Sequence, residues 1–496
     1  MQQPDTQEQE TTSPPPMPKE TPLPWGQLLP LLALRLSEPI NYTLILPFVY
    51  KMIDRFGVAS SPKDIAFYAS LLFSSFSVSQ AMTIMYWSRL SDRIGRRPVL
   101  LMGLLGNLTT FLLFSISTSF SMALGARSLN GLLSGNVAVM KSVLAEISDD
   151  SNRARMMALL PLTWNVGSVA GAAIGGLLAD PAVQFPGLFG SFKPFIAFPY
   201  LLPCLVGSSV TAAGLLVGVF VVKETLPKSH LLNQARSLAA DTTPLINPLP
   251  LEQQAAQSSR TYRQLMTPTV QTVMVTNAIT CLAISMSDQI YPIFAATSAA
   301  DGGLGFGTRS IGYSLAVAGL AVFYMQLVTY PKLERKYGAL FCYRQGQKIL
   351  IPFLLATPFL SRLAARCAHR QPSSLSAVWP LEFYVLWTLL VVLLLLRVMG
   401  QVLIFTSINL LTANLAPTRA DLGFMNGVQQ LAMSTTRVVG PLLAGTMWSW
   451  SIKYELPYLL NAHAVWVFCV ALTCTSLFLT RRIPESVNKF AADLKS

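Results

Sequence analysis

The feature that most constrains this chain is a series of apolar runs, each close to the length of one membrane span, separated by short charged segments. A helix rises about 1.5 Å per residue, so about 20 apolar residues cross the roughly 30 Å of lipid hydrocarbon. Lipid offers the backbone no hydrogen-bond partners, so a spanning segment must satisfy its own N–H and C=O groups, as a helix does. This template places helices near 28–52, 66–87, 98–117, 121–146, 153–178 and 199–222. Six more follow near 268–297, 309–331, 345–362, 379–411, 420–448 and 456–480. The expected fold class is an all-α polytopic membrane protein, with twelve transmembrane helices in two pseudo-symmetric six-helix bundles.

Charge usage agrees. Only 12% of the residues are charged and 52% are hydrophobic, with a mean hydropathy of +0.48, whereas soluble domains use about 25% charged residues. The net charge of +13 sits between the apolar runs, where it orients a membrane protein. It does not form the basic stripe that would track phosphates, so nucleic acid is not an expected partner. Six cysteines are scattered without a CxxC pair, and His230, His369 and His463 lie far apart. Neither a disulfide framework nor a metal site is expected, and no cofactor. No convergent nucleophile, base or metal constellation points to an enzyme. No phosphate-binding loop of the Gly-x-x-x-x-Gly-Lys-Ser/Thr type is present, so an ion gradient is the expected energy source.

The expected organisation is a disordered tail over 1–27, a bundle over 28–222, a polar linker over 223–266, a second bundle over 267–480 and a tail over 481–496. The N-terminal tail is polar and proline-rich and lacks the basic start and apolar core of a signal peptide. An even helix count puts both termini on one side. With the termini in the cytoplasm, inner segments hold 22 Lys and Arg and outer segments 9, as the positive-inside rule requires. The three arginines of the 361–378 loop run against it.

The two halves resemble each other. Pro47-Phe48 precedes Pro292-Ile293 by 245 residues, and Arg93-Ile94-Gly95 precedes Lys336-Tyr337-Gly338 by 243. Gly171 and Gly176 precede Gly440 and Gly445 by 269. Parallel repeats imply two bundles related by an axis along the membrane normal, with a cavity between them.

After helix 2 the chain reads Ser88-Arg-Leu-Ser-Asp92-Arg93-Ile-Gly95-Arg96-Arg97-Pro98. Gly95 suits the tight turn. Asp92 can sit against the positive end of helix 11 near Ala420, and Arg96 or Arg97 can pair with Glu146 or Asp149. The functional reading is a charged latch between halves; the plainer one is positive-inside anchoring.

On these residues the chain resembles the major facilitator superfamily. The loop is similar to that family's motif A, with Ser88 in place of the first glycine. Arg127-x-x-x-Gly131-x-x-x-Gly135 resembles motif B. Gly167-x-x-x-Gly171-Ala172-x-x-Gly175-Gly176 resembles motif C, the antiporter signature, with Ala172 in place of its proline. Arg335 stands where the second copy of motif A would carry Asp92. The resemblance is nearest the drug:proton antiporter group, including zinc-induced-facilitator-like and tetracycline-resistance-like proteins. It implies alternating access, and it implies that Arg127 faces the cavity and responds to a nearby protonation change.

Charges inside the membrane are costly and each needs a reason. Arg35 and Glu38 lie three apart on one helix face, either as a proton-titrating couple or as a permanent structural pair. Asp288 has no basic residue within one helical turn. An isolated carboxylate in a low-dielectric setting keeps its proton more readily, which suits proton exchange. Arg437 and Arg397 are further candidates, and Lys141 is expected to snorkel as a structural residue. Trp164, Asn165, Asn277, Gln326, Gln401 and Asn409 are candidate cavity-lining groups. The sequons at Asn41 and Asn107 fall inside helices and are expected to be unused.

The reading reached is a proton-coupled secondary transporter that exports a small organic molecule. Its expected partners are that solute, protons and the bilayer. It is expected to act as a monomer, with a plasma-membrane location favoured over a vacuolar one. A metal-chelate or ion transporter and a non-transporting receptor remain open alternatives.

Overall fold

The computed structural model describes residues 21–149, 152–225, 265–368, 381–416, 421–454 and 463–488. Residues 1–20 and 489–496 of the expected tails, most of the expected linker and Ala420 lie outside them; the first helix begins at Trp25, inside the span expected as a tail, and Ile483 and Val487 of the expected C-terminal tail are buried. The described chain is helical, with no strand among the described residues. We number its long helices α1 (Trp25–Thr43), α2 (Ile65–Ile94), α3 (Arg96–Ser115), α4 (Phe120–Leu133 continued by Asn136–Ile147), α5 (Arg153–Leu178) and α6 (Leu201–Phe220). The second set is α7 (Pro268–Ala296), α8 (Thr308–Tyr337), α9 (Ala339–Cys367), α10 (Leu381–Asn414), α11 (Asp421–Lys453) and α12 (Ala464–Thr480). Seven helices among the described residues are long and apolar enough to cross a membrane. Several of the others are interrupted or shorter, for local reasons.

Helix 1 does not run unbroken over 28–52. It turns at residues 44–48 and resumes as a short helix, Val49–Phe56. Helix 4 breaks at Ser134-Gly135, where the Trp87 ring occupies the space a Cβ on Gly135 would need. The freed backbone is satisfied from α2: Trp87 Nε1 donates to the Leu132 carbonyl at 2.7 Å, and Gln80 Nε2 to the Ser134 carbonyl at 3.3 Å. Non-helical backbone survives at membrane depth only with such partners. Arg362 and Arg366, expected in a loop, lie on a helical continuation of α9 over Leu360–Ala368, after a turn at Thr357–Phe359.

Packing obeys an internal two-fold relation. In the first half α1 packs on α5 and α6, and α4 on α2 and α3, with α3 also on α6. In the second half α7 packs on α11 and α12, and α10 on α8 and α9, with α9 also on α12. Between halves the principal contacts are α2 with α11 and α5 with α8, which the same operation exchanges. Glycines place these seams. A Cβ at Gly167 or Gly171 would strike Pro39 or Ile40 of α1, one at Gly175 would strike Leu44 just after it, and one at Gly176 would strike Gly312 of α8. Likewise Gly440 lies on Ser285 of α7 and Gly445 on Ser70 of α2. Small residues let helix backbones approach closely in lipid, where no hydrophobic effect draws helices together. The antiporter-like glycines therefore seat α5 against its own half, and the last of them seats it against the other.

The halves join near the Gly176 end. One apolar cluster spans both there, including Phe48, Ile65, Ala66, Ile290, Phe294 and Trp448. Polar contacts reinforce it: Phe67 N–H donates to Ser449 Oγ at 3.1 Å, and Lys453 lies 3.9 Å from Asp64. Toward the opposite end, marked by Gly95, each half has its own cluster, with Leu28, Leu100 and Val143 in the first and Val270, Met274 and Met425 in the second. Met82, Met85 and Tyr86 of α2 and Tyr324 and Leu327 of α8 are exposed on these parts of the interface helices.

At the Gly95 end each half is closed by its own last segment. Glu224, after α6, accepts from the backbone N–H of Arg96 (2.8 Å) and Arg97 (3.0 Å), capping α3. Asn488, after α12, accepts from Leu340 N–H at 2.8 Å and caps α9 in the same way. Gly95 (φ 108°) and Gly338 (φ 82°) hold the two turns in a conformation that other residues rarely adopt. Each capping group occupies the space where a Cβ on that glycine would lie. A carboxylate at a helix N-terminus meets free N–H groups and the positive end of the dipole. Glu224→Ala should lower stability by about 1 kcal/mol, with Glu224→Gln losing less, and thermal unfolding of the purified protein in detergent measures both.

Candidate functional site

Helix α1 carries Arg35, Glu38 and Tyr42 at intervals of three and four, hence on one face. The Arg35 and Glu38 side chains form an ion pair, with 7% and 13% of each exposed. Arg35 also lies over the Trp164 ring of α5, 5.4 Å from its centroid. Arg437 of α11 lies over the same ring at 5.0 Å, so each half brings one guanidinium to this indole. Tyr42 meets it at 5.9 Å. Next along α5, Asn165 Nδ2 donates to Gln326 Oε1 of α8 at 2.6 Å. Gln326 sits in a π-helical turn, Met325–Thr329, a local widening that often marks functional positions. Arg35, Glu38, Trp164, Asn165, Gln326 and Arg437 are thus brought together where the halves face each other. Lys141 joins them: its Nζ donates to Gln430 Oε1 of α11 at 2.9 Å. It therefore reaches across to the other half and does not snorkel away as expected.

Arg127 of α4 is buried, 2% exposed, among aromatic rings: Phe76 at 4.8 Å, Phe73 at 5.7 Å and Tyr42 at 5.8 Å. Its Nε and Nη2 have no hydrogen-bond partner. A small cavity bordered by Glu38, Asn41, Asn107, Asn130 and Arg127 lies between them. The asparagines bond one another, with Asn41 Nδ2 and Asn130 Nδ2 donating to Asn107 Oδ1 at 3.2 and 3.1 Å. Two sequon asparagines are therefore tied into an interior network.

Asp288 is not isolated. Arg397 of α10 pairs with it at 2.5 Å and Gln401 Nε2 donates to it at 2.6 Å. The partner comes from another helix, so an inspection limited to one helical turn missed it. A signal did exist: Arg127 and Arg397 are 270 residues apart, close to the 269 that separates the paired glycines. They are equivalent arginines of the two halves, and Arg397 likewise lies over a tyrosine of the facing helix, Tyr291, at 5.6 Å. Asn277 is fully buried, with Cys281 donating to it, and Asn409 accepts from Gln429 at 2.8 Å. Asn277 is thus engaged within α7, whereas Asn409 ties α10 to α11.

The expected latch is assembled within one half. Arg96, at the start of α3, pairs with Asp92 of α2 and at 2.9 Å with Glu146 of α4. Arg97 donates to the Gly218 and Val219 carbonyls at the end of α6, and Arg93 is exposed. Near Gly95 the two halves have separate cores, so these charges find partners on neighbouring helices of their own bundle. Glu224 and Thr225, the latter donating to Glu146 at 2.6 Å, complete the cluster. Sequence reasoning missed both because they follow α6, far along the chain.

The major facilitator superfamily family model matches residues 31–361. The chain is 29% identical to the Major facilitator superfamily multidrug transporter mfsB of Aspergillus fumigatus, covering 95% of this chain and 86% of that one. It is 29% identical to Protein ZINC INDUCED FACILITATOR 1 of Arabidopsis thaliana, covering 90% and 88%. A bacterial homolog of the human lysosomal transporter Spinster, solved in an inward-facing and unoccupied conformation, has the same fold. The match has a TM-score of 0.61 and 16% identity, and covers 95% of this chain and 99% of that one. The twelve-helix architecture, its internal two-fold relation and the family match over most of the chain agree: this is a multi-pass membrane transporter, not an enzyme, and it belongs to the major facilitator superfamily.

Proposed function

We propose that the protein exports a small organic molecule in exchange for protons, by alternating access around the side chains gathered at Trp164, where the halves face each other. The observation that carries this reading is Glu38 between two arginines. It is paired with Arg35, and it shares a cavity with Arg127, a buried cation whose Nε and Nη2 have no hydrogen-bond partner. Ionised, Glu38 can serve either guanidinium; protonated, it serves neither as a counter-ion. Proton uptake therefore changes the net charge where the halves face each other, and so biases which end of the interface opens. Asp288 with Arg397 forms a second carboxylate–arginine couple in the other half. The contact of the halves near Gly176 and their separate cores near Gly95 support a cavity that is reached from the Gly95 end. The excess of Lys and Arg in the linker and end segments supports placing the termini, and that end, in the cytoplasm. The name of the Aspergillus relative, a multidrug transporter, supports transport of drug-like molecules.

In proteoliposomes with an imposed pH gradient, Glu38→Gln should lose proton-driven flux about tenfold or more, while solute-for-solute exchange persists. Asp288→Asn should weaken coupling less, because Gln401 and Arg397 can still hold the amide. Full proton-driven flux in both variants removes the coupling assignment. Arg397→Met should lower stability by about 1.5–3 kcal/mol, the range for hydrogen bonds to charged groups. It leaves Asp288 with Gln401 alone and also vacates the contact with Tyr291, so the unfolding temperature should fall further than in Asp288→Asn.

A further inference from the structure

We propose that the substrate bound at the Trp164 cluster is an organic anion with a flat aromatic part, an inference that rests on reading that cluster as the transport site. Arg35 and Arg437 lie over Trp164, Lys141 lies near both, and the one carboxylate of the cluster, Glu38, is already engaged by Arg35. Lys141 has only the neutral Gln430 amide for a partner, and its charged neighbours, Arg35 and Arg437, are of its own sign. Arg437 rests on the indole face. Among the described residues no carboxylate pairs with Lys141 or Arg437. Asp288, the half-exposed carboxylate of α7, belongs to Arg397.

Two uncompensated cations at membrane depth are costly unless something of opposite charge visits them. They come from opposite halves, Lys141 from α4 and Arg437 from α11. A carboxylate or sulfonate between them would draw the halves together and so couple binding to closure. An aromatic body would take the place on the Trp164 ring that Arg437 holds here, once its acid group draws that guanidinium off the indole, and the Asn165–Gln326 amides, one residue on, offer contacts to neutral polar groups. A cationic solute or a free metal ion would meet three positive charges instead. Exchange of an anion outward for a proton inward is also favoured by an inside-negative potential as well as by the pH gradient.

The test is equilibrium binding to the purified full-length protein in detergent at fixed pH. The probes are benzoate, 1-naphthoate and 2-anthracenecarboxylate, set against the size-matched amine 1-naphthylmethylamine. The carboxylates should bind about tenfold or more tightly than the amine, with quenching of Trp fluorescence that is absent in Trp164→Phe. Arg437→Gln and Lys141→Gln should each weaken 1-naphthoate about tenfold, Arg437→Lys less, and Arg437→Glu should reverse the preference toward the amine. Equal binding of acid and amine, preference for the amine, or no binding of any carboxylate by the wild-type protein overturns the proposal, and none of these needs a variant to fold. Unchanged affinity in both Gln variants overturns it as well. Because no gradient is applied, anion binding that persists without proton-driven flux removes the exchange reading and leaves the substrate class. Proton-driven flux confined to amines or neutral solutes does the opposite.

Discussion

Helices in lipid are drawn together by close contact and by the few polar bonds they can share, since the tails around them are as apolar as they are. In this protein that constraint is met at a handful of glycines. Gly167, Gly171 and Gly175 set α5 into the backbone of α1 and of Leu44 just after it, and Gly176 then meets Gly312 across the interface. Gly440 and Gly445 repeat the arrangement on α11. Everything at the candidate site depends on these seams. They bring Trp164 up to Arg35 on one side and within reach of Arg437 on the other, and they hold the halves together at one end only. A carrier that rocks needs a contact that is tight but small, and backbone-to-backbone glycine packing provides one.

The two halves share a scaffold but differ in charge. Arg127 and Arg397 are equivalent arginines, each lying over a tyrosine from the first helix of its half. Arg397 has Asp288, whereas Arg127 has only aromatic faces and a cavity it shares with Glu38. A buried cation without a fixed partner is unstable in one arrangement and available in another, a suitable property for a group that answers a proton. Symmetry supplies the frame, and the missing carboxylate sets the first half apart from the second. Capping is the converse: Glu224 and Asn488 do the same work in both halves with different chemistry.

Much of the architecture was legible in the chain because the bilayer imposes it. Apolar length predicted helices whose ends lie within a few residues of those observed over much of the chain, and α5 coincides with its predicted range. The offsets between Gly171 and Gly440 and between Gly95 and Gly338 announced two related halves. Local sequence was silent where the outcome turned on a neighbour. The break at Ser134-Gly135 depends on Trp87 arriving from α2.

Composition and periodicity by themselves determined that this chain spans a membrane many times, in two bundles, and which charges must lie within it. Lipid punishes unsatisfied backbone and stray charge so heavily that few alternatives remain. Only the tertiary structure decided which of those charges meet. It took Asp288 out of isolation by giving it Arg397, turned Lys141 toward the other half, and gathered Arg96, Asp92 and Glu146 into one bundle. Pairing between helices follows from their relative rotation and depth, which no single helix encodes.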